Sequence, residues 1–125
     1  MSYGSGYLTT PPASKAIVGP DNGVLFKVLV PANMDISFDI RWELSQIMLG
    51  MRIVHESIYT AWLSDQRTQI IPWAHIYGFG FIRGRFYPPY AGQWVVFIDP
   101  AKHTWPAHKM DPIEVSARIV AAYPV

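Results

Sequence analysis

The sequence predicts a mainly β domain of the β-sandwich, jelly-roll or small-barrel type, with room for one short inserted helix near residues 45–57. Three observations point there. Short apolar runs recur at spacings of roughly 8–12 residues, with Gly, Pro, Asn or Asp between them. Two stretches, DISFDIRWEL (35–44) and IEVSARIV (113–120), alternate apolar with polar residues, which is the period of a strand buried on one face. The chain has 125 residues, 50 % of them hydrophobic, enough for a single domain with a real core.

Taken in order, residues 1–22 are rich in Gly, Ser, Thr and Pro and read as an extended N-terminal arm, with Tyr3, Tyr7 and Leu8 as anchors for a neighbouring surface. Residues 23–125 form the single β-rich domain. GVLFKVLVP (23–31) is an apolar run ended by proline, as in a buried strand. After a PANMD turn, residues 35–44 place Ile36, Phe38, Ile40, Trp42 and Leu44 on one face, so that 24–44 is expected to be a hairpin. In SQIMLGMRIVHES (45–57), Ile47, Met51, Val54 and Ile58 keep helical spacing behind a capping Ser45, although Gly50 costs such a helix about 1 kcal/mol relative to Ala. IYTAWLS (58–64) and QIIPW (69–73) flank a DQRT turn and read as a second hairpin, with Pro72 favouring an edge.

IYGFGFIRGRFY (76–87) reads as one strand, with Phe79, Phe81, Arg83 and Arg85 on one face and three glycines on the other. QWVVFIDP (93–100) is a further buried strand, and a proline-broken loop leads to the last one, with Ile113, Val115, Ala117 and Ile119 inward and Glu114, Ser116 and Arg118 outward.

Charged residues make up only 15 % of the chain, against about 25 % in ordinary soluble domains. Much of the exterior is therefore expected to be apolar or aromatic and to be covered by a partner. The net charge of +1 gives no electrostatic case for nucleic acid. Without cysteine, disulfide and thiol chemistry are excluded. The first fifteen residues have neither a basic nor an apolar signal-peptide region, and the longest charge-free apolar run, 69–82, is shorter than the roughly 20 residues a transmembrane helix needs, so neither a signal peptide nor a membrane span is expected.

The stretch YGFGFIRG (77–84) resembles the first ribonucleoprotein motif of the RRM family, with Gly78, Phe79, Gly80, Phe81 and Ile82 at five inner positions. The resemblance implies bases stacked on a βαββαβ sheet. Tyr77 stands where the motif has a basic residue and Gly84 where it has an aromatic one, and the interval that should hold a helix is full of prolines and contains a strand. RNA binding is therefore not expected.

Asp99, His103, His108 and Asp111 crowd one loop and are suitable metal ligands by type, but His-x4-His is not a standard ligand spacing and three prolines interrupt the loop. No metal and no cofactor are expected. Adjacent His55 and Glu56 project in different directions, and His75 lies among apolar residues, so no acid–base pair follows. There is no G-x-S-x-G, phosphate loop or dinucleotide motif, and no catalytic residues are assigned. Arg83 and Arg85, beside Tyr87 and Tyr90, suit either phosphate recognition or cation–π contacts at a subunit interface, the second being preferred. Of the tryptophans in or near loops and edges (Trp62, Trp73, Trp94 and Trp105), some must be buried and some remain for recognition.

The expected function is that of a non-enzymatic structural or assembly protein, a subunit of a shell, tube or virion-type particle. Its expected partners are copies of itself and other structural proteins. The contact residues are expected to be Tyr3, Tyr7, Trp73, Phe79, Phe81, Arg83, Arg85, Tyr87, Tyr90 and Trp105. A glycan- or small-ligand-binding module with Trp/Tyr platforms is the alternative, and a metal or enzyme site in the 99–111 loop is the second alternative.

Overall fold

In the computed structural model, residues 2–5, 14–67, 70, 72–107 and 111–123 are described. Tyr7, Leu8 and His108 lie outside them. The described chain forms strands β1 (Ser2–Ser5), β2 (Ser14–Val18), β3 (Asn22–Val30), β4 (Asp35–Arg41) and β5 (Met48–His55), helix α1 (Glu56–Ser64), then strands β6 (Ala74–Phe79), β7 (Phe81–Phe86), β8 (Gly92–Pro100) and β9 (Ile113–Ala122), with a 3-10 turn at Lys102–Thr104. They build two sheets, the first in the order β1-β3-β8-β5-β6 and the second in the order β2-β9-β4-β7. Every pairing is antiparallel except β1 on β3. The fold is mainly β and of the sandwich type.

The alternating strands behave as their pattern requires. Ile36, Phe38, Ile40 and Trp42 from β4 and its end, and Ile113, Val115, Ala117 and Ile119 from β9, face Val24, Phe26, Val28, Leu49, Met51, Ile53, Trp94, Val96 and Ile98 of the other sheet in one core. Trp94 is fully buried there and gives its indole N–H to the Tyr90 carbonyl at 3.1 Å. The segment 1–22 supplies one strand to each sheet, and β2 puts Ala16 and Val18 into the core.

Four expectations are corrected. β3 and β4 are not a hairpin: β3 pairs with β8 in the first sheet and β4 with β7 and β9 in the second, so residues 31–34 arch between layers. The helix is not at 45–57, where β5 runs from residue 48 to 55 with Leu49, Met51 and Ile53 in the core and Val54 buried on the opposite side. A central strand covered on both faces loses alternation, and its apolar residues then imitate helical spacing. Helix α1 instead takes 56–64, and so replaces the hairpin strand expected over 58–64, where Tyr, Thr and Trp favour a strand by type. Ile58, Tyr59 and Trp62 are its half-buried residues near the sheet, and His55 caps it, its Nδ1 accepting from the Ser57 N–H at 3.2 Å.

Fourth, residues 76–87 are two strands. Gly80, at φ +80°, turns the chain from the edge of one sheet to the edge of the other, a conformation that an L side chain adopts only with strain. The Gly80 carbonyl accepts from the Trp42 N–H at 3.0 Å, which ties the corner to the end of β4.

Candidate functional site: two faces and an aromatic edge

Three surfaces carry the chemistry. The first is an edge. β6 ends the first sheet and β7 the second, opposite the other end strands β1 and β2, and the two follow one another in the chain, so this side of the sandwich presents two strand rims that are unpaired among the described residues. Of the eleven large apolar side chains exposed among the described residues, seven fall between 73 and 90: Trp73, Ile76, Tyr77, Phe79, Phe81, Tyr87 and Tyr90. Register shows which way they look. Tyr77 and Phe79 lie opposite Gly50 and Met48, on the same outer face as Arg52. Phe81 lies opposite Arg41, on the outer face of the second sheet. The Gly80 corner thus sends Phe79 (54 % exposed) and Phe81 (63 % exposed) to different faces of the same edge, where the single-strand reading had put them together. At its far end Trp73 packs edge-on to Tyr90, with ring centres 6.4 Å apart.

The second surface is a groove of about 510 Å3 on the outer face of the first sheet, bordered by Tyr3, Arg52, His75, Tyr77, Asp99 and His103. At its floor Arg52 gives two hydrogen bonds to Asp99, from Nε at 2.6 Å and from Nη2 at 3.0 Å, and the Tyr3 hydroxyl donates to Asp99 at 2.5 Å. Arg52 Nη2 also donates to the Tyr3 oxygen at 2.7 Å, and its guanidinium lies over the Phe97 ring. Burial, the Asp99 hydrogen bond and the Asp99 charge push the Tyr3 hydroxyl well above the ordinary phenol range. For Arg52, burial acts to lower the pKa, but hydrogen bonding and charge from Asp99, with Tyr3, outweigh it and leave the guanidinium above its usual value.

Tyr3 thus reaches into its own chain, with its ring against Gly23, where an added Cβ would fall 2.7 Å from the ring and 2.4 Å from the Ile98 carbonyl oxygen. Arg52 was missed in the sequence reading. The signal was there, as the sole charge in the apolar run MLGMRIVH. Asp99, one of the four residues that the sequence gathers in the 99–111 loop, lies on β8 and is held by Arg52 and Tyr3, and among the described residues no three His, Asp or Glu side chains come together as a metal site.

The third surface is the outer face of the second sheet. Arg83, Arg85, Arg118, Ser37 and Asp39 border a groove of about 380 Å3. Arg83 and Arg118 sit directly across from Asp39 on its two neighbouring strands, and Arg85 sits across from Ser37. Arg41 caps both oxygens of Asp39, at 2.9 and 3.0 Å, and this holds the Asp39 carboxyl below the usual range, with help from Arg83 and Arg118. A wider depression of about 710 Å3 beside it is bordered by Lys15 and Glu114, which pair with one another at 3.3 Å.

The other residues singled out in the sequence are dispersed. Trp105 is 7 % exposed and belongs to the core. His55 has its Nδ1 2.9 Å from the Ser57 hydroxyl, but this is the local helix cap, and the ring packs against Tyr90 and Trp94. His75 is exposed and lies against Tyr77. No helix among the described residues is long and apolar enough to cross a membrane.

No family model matches the chain, and no curated protein matches it. Solved structures do. A periplasmic inhibitor of g-type lysozyme from Aeromonas hydrophila superposes with a TM-score of 0.61 at 8 % identity, over 95 % of this chain and 99 % of that one. A surface-associated copper-binding protein of Methylomicrobium album BG8 gives 0.56 at 9 % identity, over 99 % and 100 %. The pre-peptidase C-terminal domain of a collagenase from Bacillus anthracis gives 0.54 at 13 % identity, over 94 % and 93 %. At these identities the likeness is one of fold.

Proposed function

We propose that the protein is a non-enzymatic assembly subunit that associates with copies of itself through the β6–β7 edge, as a building block of a shell, tube or virion-type particle. One observation carries this reading: among the described residues, seven of the eleven exposed large apolar side chains fall in the segment 73–90, which contains the two end strands β6 and β7. Edge strands in monomeric proteins are usually guarded by charge, proline or a covering element. β6, with the sequence AHIYGF, holds no Lys, Arg, Asp or Glu. A second copy that adds its own edge would pair the open backbone groups and bury the rings together. The similar structures are named for an inhibitor, a binding protein and a domain attached to a peptidase, which supports a non-catalytic role.

Light scattering over a concentration series tests the reading. Mass should rise with concentration to a defined oligomer or growing particle, and Tyr77→Lys, which places a charge on the open strand, should shift the protein toward monomer. A wild-type chain that stays monomeric at every concentration overturns it.

A further inference from the structure

The outer face of the second sheet has a charge pattern that self-association through the edge does not use. Four arginines, Arg41, Arg83, Arg85 and Arg118, converge on the central strand β4. Two of them are matched. Arg41 covers both oxygens of Asp39, and Arg85 lies 3.6 Å from Asp35 and donates to the Tyr123 carbonyl at 2.9 Å. Arg83 and Arg118 are exposed and make neither a hydrogen bond nor an ion pair among the described residues, although they bracket the same carboxylate from the two strands beside it. Like charges gathered across neighbouring strands oppose folding. A chain with only ten Lys and Arg that places four arginines here, and Lys15 with its partner Glu114 on the same sheet face, retains a local excess despite a net charge of +1.

We infer that this face is a binding site for a phosphate monoester, held between Arg83 and Arg118 with Arg85 at the rim of the groove. Three features select the ligand. The excess is two unmatched positive charges, and a phosphate monoester carries about −1.5 to −2 at neutral pH. The cations are guanidinium groups, whose forked N–H donors fit the oxygens of phosphate. Their backbones stand two strand spacings apart, about 10 Å, which long arginine side chains close over a single tetrahedral group. Asp39 is the one carboxylate that lines the groove, and its capping by Arg41 removes most of its repulsion. Ser37 adds a hydroxyl donor in the same groove.

The test is titration of the isotope-labelled full chain with phosphoserine, followed by NMR at constant ionic strength, with serine and inorganic phosphate alongside. Phosphoserine should give saturable shifts confined to β4, β7 and β9, inorganic phosphate the same shifts, and serine none. Arg83→Gln and Arg118→Gln should each weaken binding roughly tenfold, the loss expected for a charge-assisted hydrogen bond, while Arg67→Gln, at an exposed arginine paired with Asp65, leaves it unchanged. Asp39→Asn removes the carboxylate and frees Arg41, so it should tighten binding. No saturable shift, shifts that persist in the Arg83→Gln/Arg118→Gln double variant, or a response to succinate but not to phosphate would each overturn the proposal. Association through the β6–β7 edge is read separately by mass, so either proposal can fail while the other stands.

Discussion

Two groups of aromatic side chains reach the outer face of the first sheet, and the fold treats them in opposite ways. Beneath α1, Phe97 packs against Tyr3, Tyr59 and Trp62 with ring centres 5.0 to 6.4 Å apart, in a second small core with Leu25, Val54 and Val95. Along the edge, Trp73, Tyr77 and Phe79 are about half exposed. Residue type does not distinguish the groups. What differs is that a nine-residue helix follows β5 and folds back over the first group, while nothing among the described residues covers the second. Burial of a ring on a sheet face is thus decided by what the chain lays over it. An uncovered set next to an unpaired strand rim is where an outside partner adds most.

The largest effect should come from breaking the covered group. Phe97 is fully buried and is the ring shared by all these contacts. Phe97→Ala should cost about 3–5 kcal/mol, the usual loss for a buried aromatic truncated to Ala. Urea unfolding followed by tryptophan fluorescence measures it. A cost below about 1 kcal/mol would show that the rings under α1 are not a second core.

That comparison also explains what could be read from the sequence. The inward faces of β4 and β9 were legible because each strand has one wet side, so alternation survives. β5 was not, because its two faces are both covered and its pattern is continuous. The helix was hidden by its own composition, since Tyr59, Thr60 and Trp62 are strand formers by type, and here Tyr59 and Trp62 pack against a neighbouring sheet. An exterior rich in aromatic residues was foreseen from the low charge fraction, and of the contact residues named from the sequence Trp73, Phe79, Phe81, Tyr87 and Tyr90 are exposed while Trp105 is buried. The division of Phe79 and Phe81 between two sheets was not foreseen, because it depends on one backbone angle at Gly80. The Tyr3–Arg52–Asp99 cluster joins residues from three strands, with Tyr3 and Asp99 96 positions apart, and no local pattern announces such a contact.

An intermediate effect is expected at the border of the covered group, where Tyr3 joins the rings to the Arg52–Asp99 pair. Tyr3→Phe keeps the ring and removes the hydroxyl, and should cost about 1.5–3 kcal/mol at neutral pH, as for a hydrogen bond to a charged group. The sign of its pH dependence follows from the direction of the shift. The folded state holds the Tyr3 proton more tightly than the unfolded chain, whose phenol titrates near 10.0. The stabilisation is therefore complete below that pH and falls as pH rises above it. Thermal unfolding of wild type and Tyr3→Phe at pH 8 and pH 11 should show the gap between them narrowing at the higher pH. A constant gap would mean that the hydroxyl does not keep its proton in the folded state.

The smallest effect on stability should come from the uncovered group, and its smallness is what sharpens the contrast. Phe81 is 63 % exposed, on the outer face of the edge strand β7. Surface substitutions away from the core usually change stability by no more than about 0.5 kcal/mol, so Phe81→Ser should unfold at nearly the wild-type urea concentration when measured at low protein concentration. Its effect belongs to association. A ring buried between copies contributes by its area, at about 25 cal/mol per Å2 before the costs of ordering, so the variant should need higher concentration than wild type to reach the same mass. If Phe81→Ser instead destabilises the isolated chain as Phe97→Ala does, the edge ring is part of the chain's own packing and the two groups differ only in degree. If it leaves both stability and mass unchanged, self-association must rest on the part of the edge formed by Tyr77 and Phe79, on the other face of the Gly80 corner.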